Sequence, residues 1–201
     1  MPAVVIMATE TASTPAEVTA LIRDILTRRG SESYLGEDVT MSEHMLQSAW
    51  IAEQAGETNS IVVAALLHDI GHYTSEFGED FLELGVDNLH EQAGAAVLES
   101  WFPPEVVEAA RGHVAAKRYL CAVEPDYFAG LSDASVQSLE LQGGPMNDDE
   151  VMDFKKNPWL DTIVRVRRYD DGGKVAGRQT PQLEHYLSMV EQVLDDYQRA
   201  I

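Results

Sequence analysis

The stretch Leu67-His68-Asp69-Ile70-Gly71-His72 closes the apolar run Ile61 to Leu67, and its reading decides the fold. It sets an imidazole and a carboxylate side by side, with a second imidazole four residues after the first. A carboxylate has two oxygens and can bridge two metal ions. Paired with imidazole it suits a borderline or hard transition metal such as Fe, Mn or Zn. A His-Asp pair alone is a weak signal, and its weight comes from the histidines placed around it.

Working outward, the segments on either side read as helix after helix. Thr58 or Asn59 caps a helix from Ser60 to about Ile70 that is apolar almost all round, hence central and buried. Upstream, Thr14-Pro15-Ala16-Glu17 is a capping box with proline at the first helical position. Val18, Leu21, Ile22, Ile25 and Leu26 follow at helical spacing up to Gly30. Thr40-Met41-Ser42-Glu43 is a second capping box, and its helix, with His44 in the first turn, runs to Gly56. Downstream, a Gly- and acid-rich loop (Gly78 to Asp87) precedes a helix from near Asn88 to Pro103-Pro104 that carries His90. The next helix carries His113 and Lys117 one turn apart on one face. Leu131 to Leu141 reads as helix, broken by Gly143-Gly144-Pro145. Asn157 to Arg168 reads as a short helix, followed by a turn at Asp170-Asp171-Gly172-Gly173. An amphipathic helix, Pro181 to Ala200, places Leu183, Leu187, Val190 and Leu194 on one face. Trp50, Trp101, Trp159 and Met146 read as core. The fold class is all-α.

Composition bounds the rest. With 201 residues, 45% of them hydrophobic, the chain fits one globular domain, core 14–200, after a flexible segment 1–13. Thirty-four acidic against 14 basic residues give a net charge of -20. That surface repels nucleic acid and anionic membranes, which are therefore not expected as partners. The single cysteine, Cys121, excludes an internal disulfide framework and fits a reducing compartment. Met1 to Glu10 has no basic flank and does not read as a signal peptide. The run Ile61 to Leu67 is far too short to span a bilayer. A cytoplasmic location is the expectation; the composition sets no oligomeric state.

Of the six histidines, His44, His68, His72, His90 and His113 fall on four successive helical segments. Each alone reads more readily as an ordinary core or surface histidine than as a ligand. Jointly, His44 with His68-Asp69 converge on one ion, and His90 with His113 on a second that Asp69 bridges. A late carboxylate completes the first shell, and spacing does not choose it from more than thirty acids.

Several stretches resemble the HD-domain superfamily, whose members are all-helical and mostly metal-dependent phosphohydrolases. They are Tyr34 to Glu37, Glu43-His44, Leu66 to Tyr73, His90-Glu91, Gly112 to Leu120 (GHVAAKRYL), Leu131 to Ser135 (LSDAS), Leu141 to Met146 (LQGGPM), Arg168 to Asp170 and Glu184 to Tyr186. Together they are similar to one branch, the PhnZ-type oxygenases that cleave carbon–phosphorus bonds. The resemblance implies an HD-type helical bundle with two iron ions in a mixed-valent Fe(II)/Fe(III) pair. His44, His68, Asp69 and Asp170 would hold one iron, with Asp69 bridging to the other on His90 and His113. Tyr34 matches a tyrosine that fills the open position before substrate arrives, and Glu37 its partner in that gate. The implied reaction uses O2 on a small 1-hydroxy-2-aminoethylphosphonate, giving a carboxylate and phosphate.

An anionic substrate entering so acidic a protein needs local positive charge. Lys117 supplies an ammonium on the His113 face, and His72 a hydrogen bond. Arg167, Ser135 and Ser138 resemble the rest of the family's phosphonate-binding set. As plain residues, Lys117, Arg118 and Arg167 also read as solvated helix faces, and Ser138 as helix surface. His185 has no ligand role in the family pattern and reads as structural. Asp38, directly after Glu37, is a departure from the primary-amine enzyme. A second carboxylate suits a quaternary ammonium, recognised by longer-range charge and aromatic faces, and tilts the reading toward the trimethylated substrate and glycine betaine. Asp38 reads equally well as a solvated charge before the helix start at Thr40. Two other classes fit the residues less fully: an HD phosphohydrolase acting on an ester or nucleotide, and a non-catalytic metal-stabilised phosphonate sensor. The hydrolase gives His90, His113 and Tyr34 no special role, although some hydrolases use two metals, and the sensor predicts binding without turnover.

Overall fold

The computed structural model describes residue 12 and residues 14–73 and 87–201. The flexible segment expected at 1–13 and the loop expected at Gly78 to Asp87 fall almost wholly outside the described residues. Nine α-helices are seen among these: α1 Pro15–Arg29, α2 Met41–Gln54, α3 Asn59–Leu67, α4 His90–Leu98, α5 Pro104–Val123, α6 Asp133–Leu141, α7 Asp148–Phe154, α8 Leu160–Gly172 and α9 Leu183–Ala200. Among the described residues no strand forms. An isolated antiparallel bridge, Ser33 to Thr40, closes the loop before α2.

The helix starts follow local chemistry. In α1 and α2 the threonine hydroxyl accepts from the third-residue backbone N–H, and the glutamate reaches back to the threonine N–H. Such a box stabilises a helix start by about 1 kcal/mol. Asn147 and Glu150 make a third box at α7, a helix the hydrophobic pattern does not reveal because none of its residues is buried.

Helix α3 is the centre: every residue from Ile61 to Leu67 is buried. It packs on α2 and α5 and, more lightly, on α8 and α9. Helix α5 also packs on α4 and α8, and α9 lies on α1. The site residues sit on α2, α4, α5, α6 and α8 and at the end of α3, so inter-helix packing fixes the site's geometry.

Four expectations are corrected. Helix α3 ends at Leu67 rather than near Ile70, and the chain tightens into a 3-10 turn, Ile70–Tyr73. Helix α4 stops at Leu98, short of Pro103. Helix α8 runs on to Gly172, so Asp170 lies in its last turn and not in a following bend. Trp50, Trp101, Trp159 and Met146 are only half-buried; the first two pack at the margin of the core.

The 3-10 turn packs tightly on α4. A Cβ on Gly71 would stand 1.8 Å from the His90 carbonyl oxygen and 2.6 Å from the Gly94 nitrogen, both backbone atoms. No rotamer change relieves such a clash, so only glycine fits there. Gly71→Ala is expected to lower unfolding free energy by about 3 kcal/mol, measured by urea denaturation. A loss under about 0.5 kcal/mol would contradict this packing.

Candidate metal centre

Asp69 sits where five imidazoles converge. It is 1% exposed, and His44, His68, His72, His90 and His113 are all buried around it. Its two oxygens face different pairs. Oδ2 is 3.4 Å from His44 Nε2 and 3.3 Å from His68 Nε2. Oδ1 is 3.5 Å from His90 Nε2 and 3.3 Å from His113 Nε2. Asp170 joins the first group, with Oδ1 3.5 Å from His44 Nε2 and Oδ2 3.9 Å from His68 Nε2. The structure thus brings together all six residues expected as ligands, in two groups that share one carboxylate.

The backbone and one amide fix which nitrogen of each ring points inward. His68 Nδ1 lies 2.8 Å from the Ala65 carbonyl and His113 Nδ1 2.7 Å from the Ala110 carbonyl, each one helical turn back. His44 Nδ1 lies 3.1 Å from the Gly173 carbonyl, and His90 Nδ1 2.8 Å from Asn88 Oδ1. An oxygen that only accepts requires the proton on Nδ1, which leaves a lone pair on each Nε2. Those lone pairs face one another, at 3.2 Å between His44 and His68 and 2.9 Å between His90 and His113. A shared cation removes the repulsion. Donor atoms about 2.1 Å from one ion stand about 3.0–3.4 Å apart, close to the spacings seen. Asp170 Oδ1 is buried without a hydrogen-bond partner. The donor set, nitrogen and carboxylate with no sulfur, fits a transition metal such as iron.

Charge in the site follows from the neighbours. Burial opposes ionisation of Asp69, yet His68, His113 and His44 hold its carboxyl well below the usual range. Asp170 is likewise held far down, against burial, by Arg167, Lys174 and the two histidines. Burial, with the charge of Asp69, pushes the Tyr34 phenol well up. Tyr34 is therefore a neutral donor, and its hydroxyl donates to Asp69 Oδ2 at 2.9 Å. Its ring stacks on His44 at 3.9 Å.

Beside this cluster lies a cavity of about 400 Å³, its open mouth included, lined among others by Tyr34, Leu35, Glu37, His72, Lys117 and Gln142. Lys117 Nζ donates to Ser138 Oγ at 2.7 Å and to the Ser135 carbonyl at 3.4 Å. Both serines and Arg167 are buried and line the same cavity, so these cations and Ser138 are not solvated helix faces. Asp38 is exposed and is not among the lining residues; the short loop turns its side chain outward, away from the substrate contact expected for it. His185 is exposed and paired with Glu53 at 2.7 Å, remote from the centre.

Asn88 and Lys174 are additional. Asn88 spans two rings: Oδ1 accepts from His90, and Nδ2 donates to His72 Nδ1 at 3.4 Å. One amide thereby sets opposite tautomers, leaving His90 Nε2 as a ligand and His72 Nε2 as a donor. Its position two residues before His90 was its only signal. Lys174 Nζ donates to Ser135 Oγ at 2.8 Å. It stands two residues beyond the end of α8, where no helical spacing marks it.

Comparison with known proteins agrees with this geometry. The HD domain family model matches residues 41–149. A [1-hydroxy-2-(trimethylamino)ethyl]phosphonate dioxygenase (glycine-betaine-forming) of Leisingera caerulea is 53% identical over 91% of this chain and 93% of that protein. A hydroxymethylphosphonate dioxygenase of Gimesia maris is 44% identical over 90% of each chain. An uncharacterized protein of Acanthamoeba polyphaga mimivirus is 35% identical over 83% of this chain and 77% of its own length. With two buried His pairs sharing one aspartate, the chain belongs to the HD-domain family and, within it, to the PhnZ-type oxygenases.

Proposed function

We propose that this chain uses O2 to cleave the carbon–phosphorus bond of 1-hydroxy-2-(trimethylammonio)ethylphosphonate, giving glycine betaine and phosphate, with a mixed-valent pair of irons as cofactor. The observation that carries the reading is Asp69, whose two oxygens each face a separate pair of inward imidazole lone pairs. A single-ion hydrolase has no use for the His90–His113 pair. Bound iron supplies the one-electron chemistry with O2 that zinc or magnesium cannot. One O2 balances the reaction: the carboxylate gains one oxygen beyond the substrate hydroxyl, and phosphate gains one beyond the three of the phosphonate.

The cavity is polarised as a zwitterion requires. Toward α5, α6 and α8 it offers Lys117, Arg167, Ser135 and Ser138 for the phosphonate. On the loop before α2, Glu37 Oε1 is buried without a hydrogen-bond partner. A trimethylammonium group donates no hydrogen bonds, so it suits a carboxylate that offers charge alone, beside the Tyr34 ring. In the gate that the family resemblance implies for Tyr34 and Glu37, Tyr34 gives up its bond to Asp69 as substrate enters. His72, oriented by Asn88 and lining the same cavity, steadies a phosphonate oxygen.

Three outcomes follow. Iron-loaded protein should release phosphate from the trimethylated substrate only with O2, faster than from the primary amine or hydroxymethylphosphonate; oxygen-independent release from phosphate esters would return the chain to hydrolysis. Burial, with the charge of Arg167, brings Lys117 down to about 7. Its ammonium is present below that pH and lost above it, so KM for the phosphonate should rise as pH passes about 7. Lys117→Arg, charged throughout, should flatten that limb; an unchanged profile would remove Lys117 from the anion site. Asn88→Ala, which frees both tautomers, should cost about 10- to 100-fold in iron affinity or kcat/KM, read by chelator competition and steady-state kinetics. Wild-type values in both would show that Asn88 orients neither ring.

A further inference from the structure

Lys174 is the third cation of the cavity wall, beside Lys117 and Arg167. Its side chain is 11% exposed, and its ammonium lies 3.6 Å from Asp170 Oδ1 and 5.6 Å from the centre of the Tyr34 ring. It makes one direct hydrogen bond, to Ser135 Oγ. Lys117 touches the same residue through the Ser135 carbonyl. Two ammonium groups are thus held at one serine on the wall of one cavity.

Arg167 is differently placed. Its Nη1 donates to Asp170 Oδ2 at 2.5 Å, its Nη2 to Asp171, and its Nε to the Tyr127 hydroxyl at 3.1 Å. Each of its three nitrogens serves a protein partner, two of them carboxylates, and two of its five N–H groups remain for the phosphonate. An ammonium has three donors in flexible directions. Lys117 has two direct partners and Lys174 one, which leaves both able to meet an incoming anion.

We propose that Lys174 is a phosphonate-binding residue that exchanges the face of Tyr34 for phosphonate oxygens when substrate enters. The inference rests on the phosphonate reading for the identity of the anion. Tyr34 lies between the His44 ring and the Lys174 ammonium. When Tyr34 leaves Asp69, Lys174 loses its aromatic contact as the anion arrives. The same ammonium keeps Asp170 company, so the anion is held against the metal-ligand carboxylate rather than at the cavity mouth. Lys117 and Lys174 then clamp one phosphonate from α5 and from the end of α8.

The test is anaerobic calorimetry on iron-loaded protein, titrating inorganic phosphate and the trimethylated phosphonate, alongside steady-state kinetics and iron content. Lys174→Met should weaken both ligands by a similar factor, about 10- to 100-fold for one charge-assisted hydrogen bond. The loss in turnover should fall mainly on KM, with iron content kept. Lys174→Arg should recover most of the affinity, and it remains informative if the methionine variant fails to fold. Wild-type affinity for phosphate in the folded variants would overturn the proposal. So would loss of iron, or of kcat at unchanged KM, because Lys174 would then only position Asp170. Weakened phosphate binding in a protein that releases no phosphate from any phosphonate would refute the substrate reading and leave the anion-binding role standing.

Discussion

The structure depends on one buried carboxylate. Asp69 is ionised at 1% exposure, and an isolated charge so placed costs many kcal/mol. Its neighbours offset that cost with the charge of His68, whose pKa Asp69 raises to about 9 against burial, and with hydrogen bonds from His113 and His44. Five rings and one phenol aim at it, and each ring that supplies an inward lone pair is anchored by an acceptor on its outer nitrogen. The fold is therefore organised outward from Asp69. Helix α3 must be buried all round to carry it inside. The 3-10 turn after it must be tight to bring His72 back, and Gly71 must lack a side chain so that α4 comes close with His90.

Strain is concentrated around the same centre. Leu35 and Leu89 are the non-glycine residues with positive φ among those described, each at 49°. For bulky L residues this costs about 1–2 kcal/mol. Leu35 follows Tyr34, and Leu89 lies between Asn88 and His90. Both sit where the chain must turn a polar side chain inward with no regular hydrogen-bonded structure to do it. That coincidence ties the strain to positioning, with core packing over-determining the two sites.

What the sequence revealed follows from how locally each feature is encoded. Capping boxes at Thr14 and Thr40 and the unbroken apolar run of α3 are local signals, and they place the helices that carry His44, His68 and Asp69. The ends of α3, α4 and α8 are set by tertiary contacts and were read wrongly. Lys117 is marked by its place one helical turn after His113, whereas Lys174 lies beyond the end of α8 and only the tertiary fold brings it to Ser135. Asn88 was hidden for a related reason, because its role is to join two histidines from different elements. The assignment of Asp170 over Asp171 came from motif resemblance. Physics now separates them: Asp170 is buried and faces His44 and His68, whereas Asp171 takes Arg167 and the Tyr127 hydroxyl.

The charge distribution places the remaining constraint on the substrate. A chain of net charge -20 repels a phosphonate at long range, but within a Debye length, about 8 Å at physiological salt, local groups decide. Of 14 basic residues, three line one cavity beside Glu37, Asp69 and Asp170, so cations stand where the anion must rest. A simple phosphonate meets only the repulsive approach and then the cationic wall. On the proposed function, a zwitterion also carries a positive end, which the acidic surface attracts and which the unpartnered oxygen of Glu37 would receive. Asp38, exposed beside Glu37, adds to that approach field. The acidic exterior and the cationic wall thus act on opposite ends of one molecule, and the trimethylammonium is the end that makes the protein's overall acidity compatible with an anionic reaction centre.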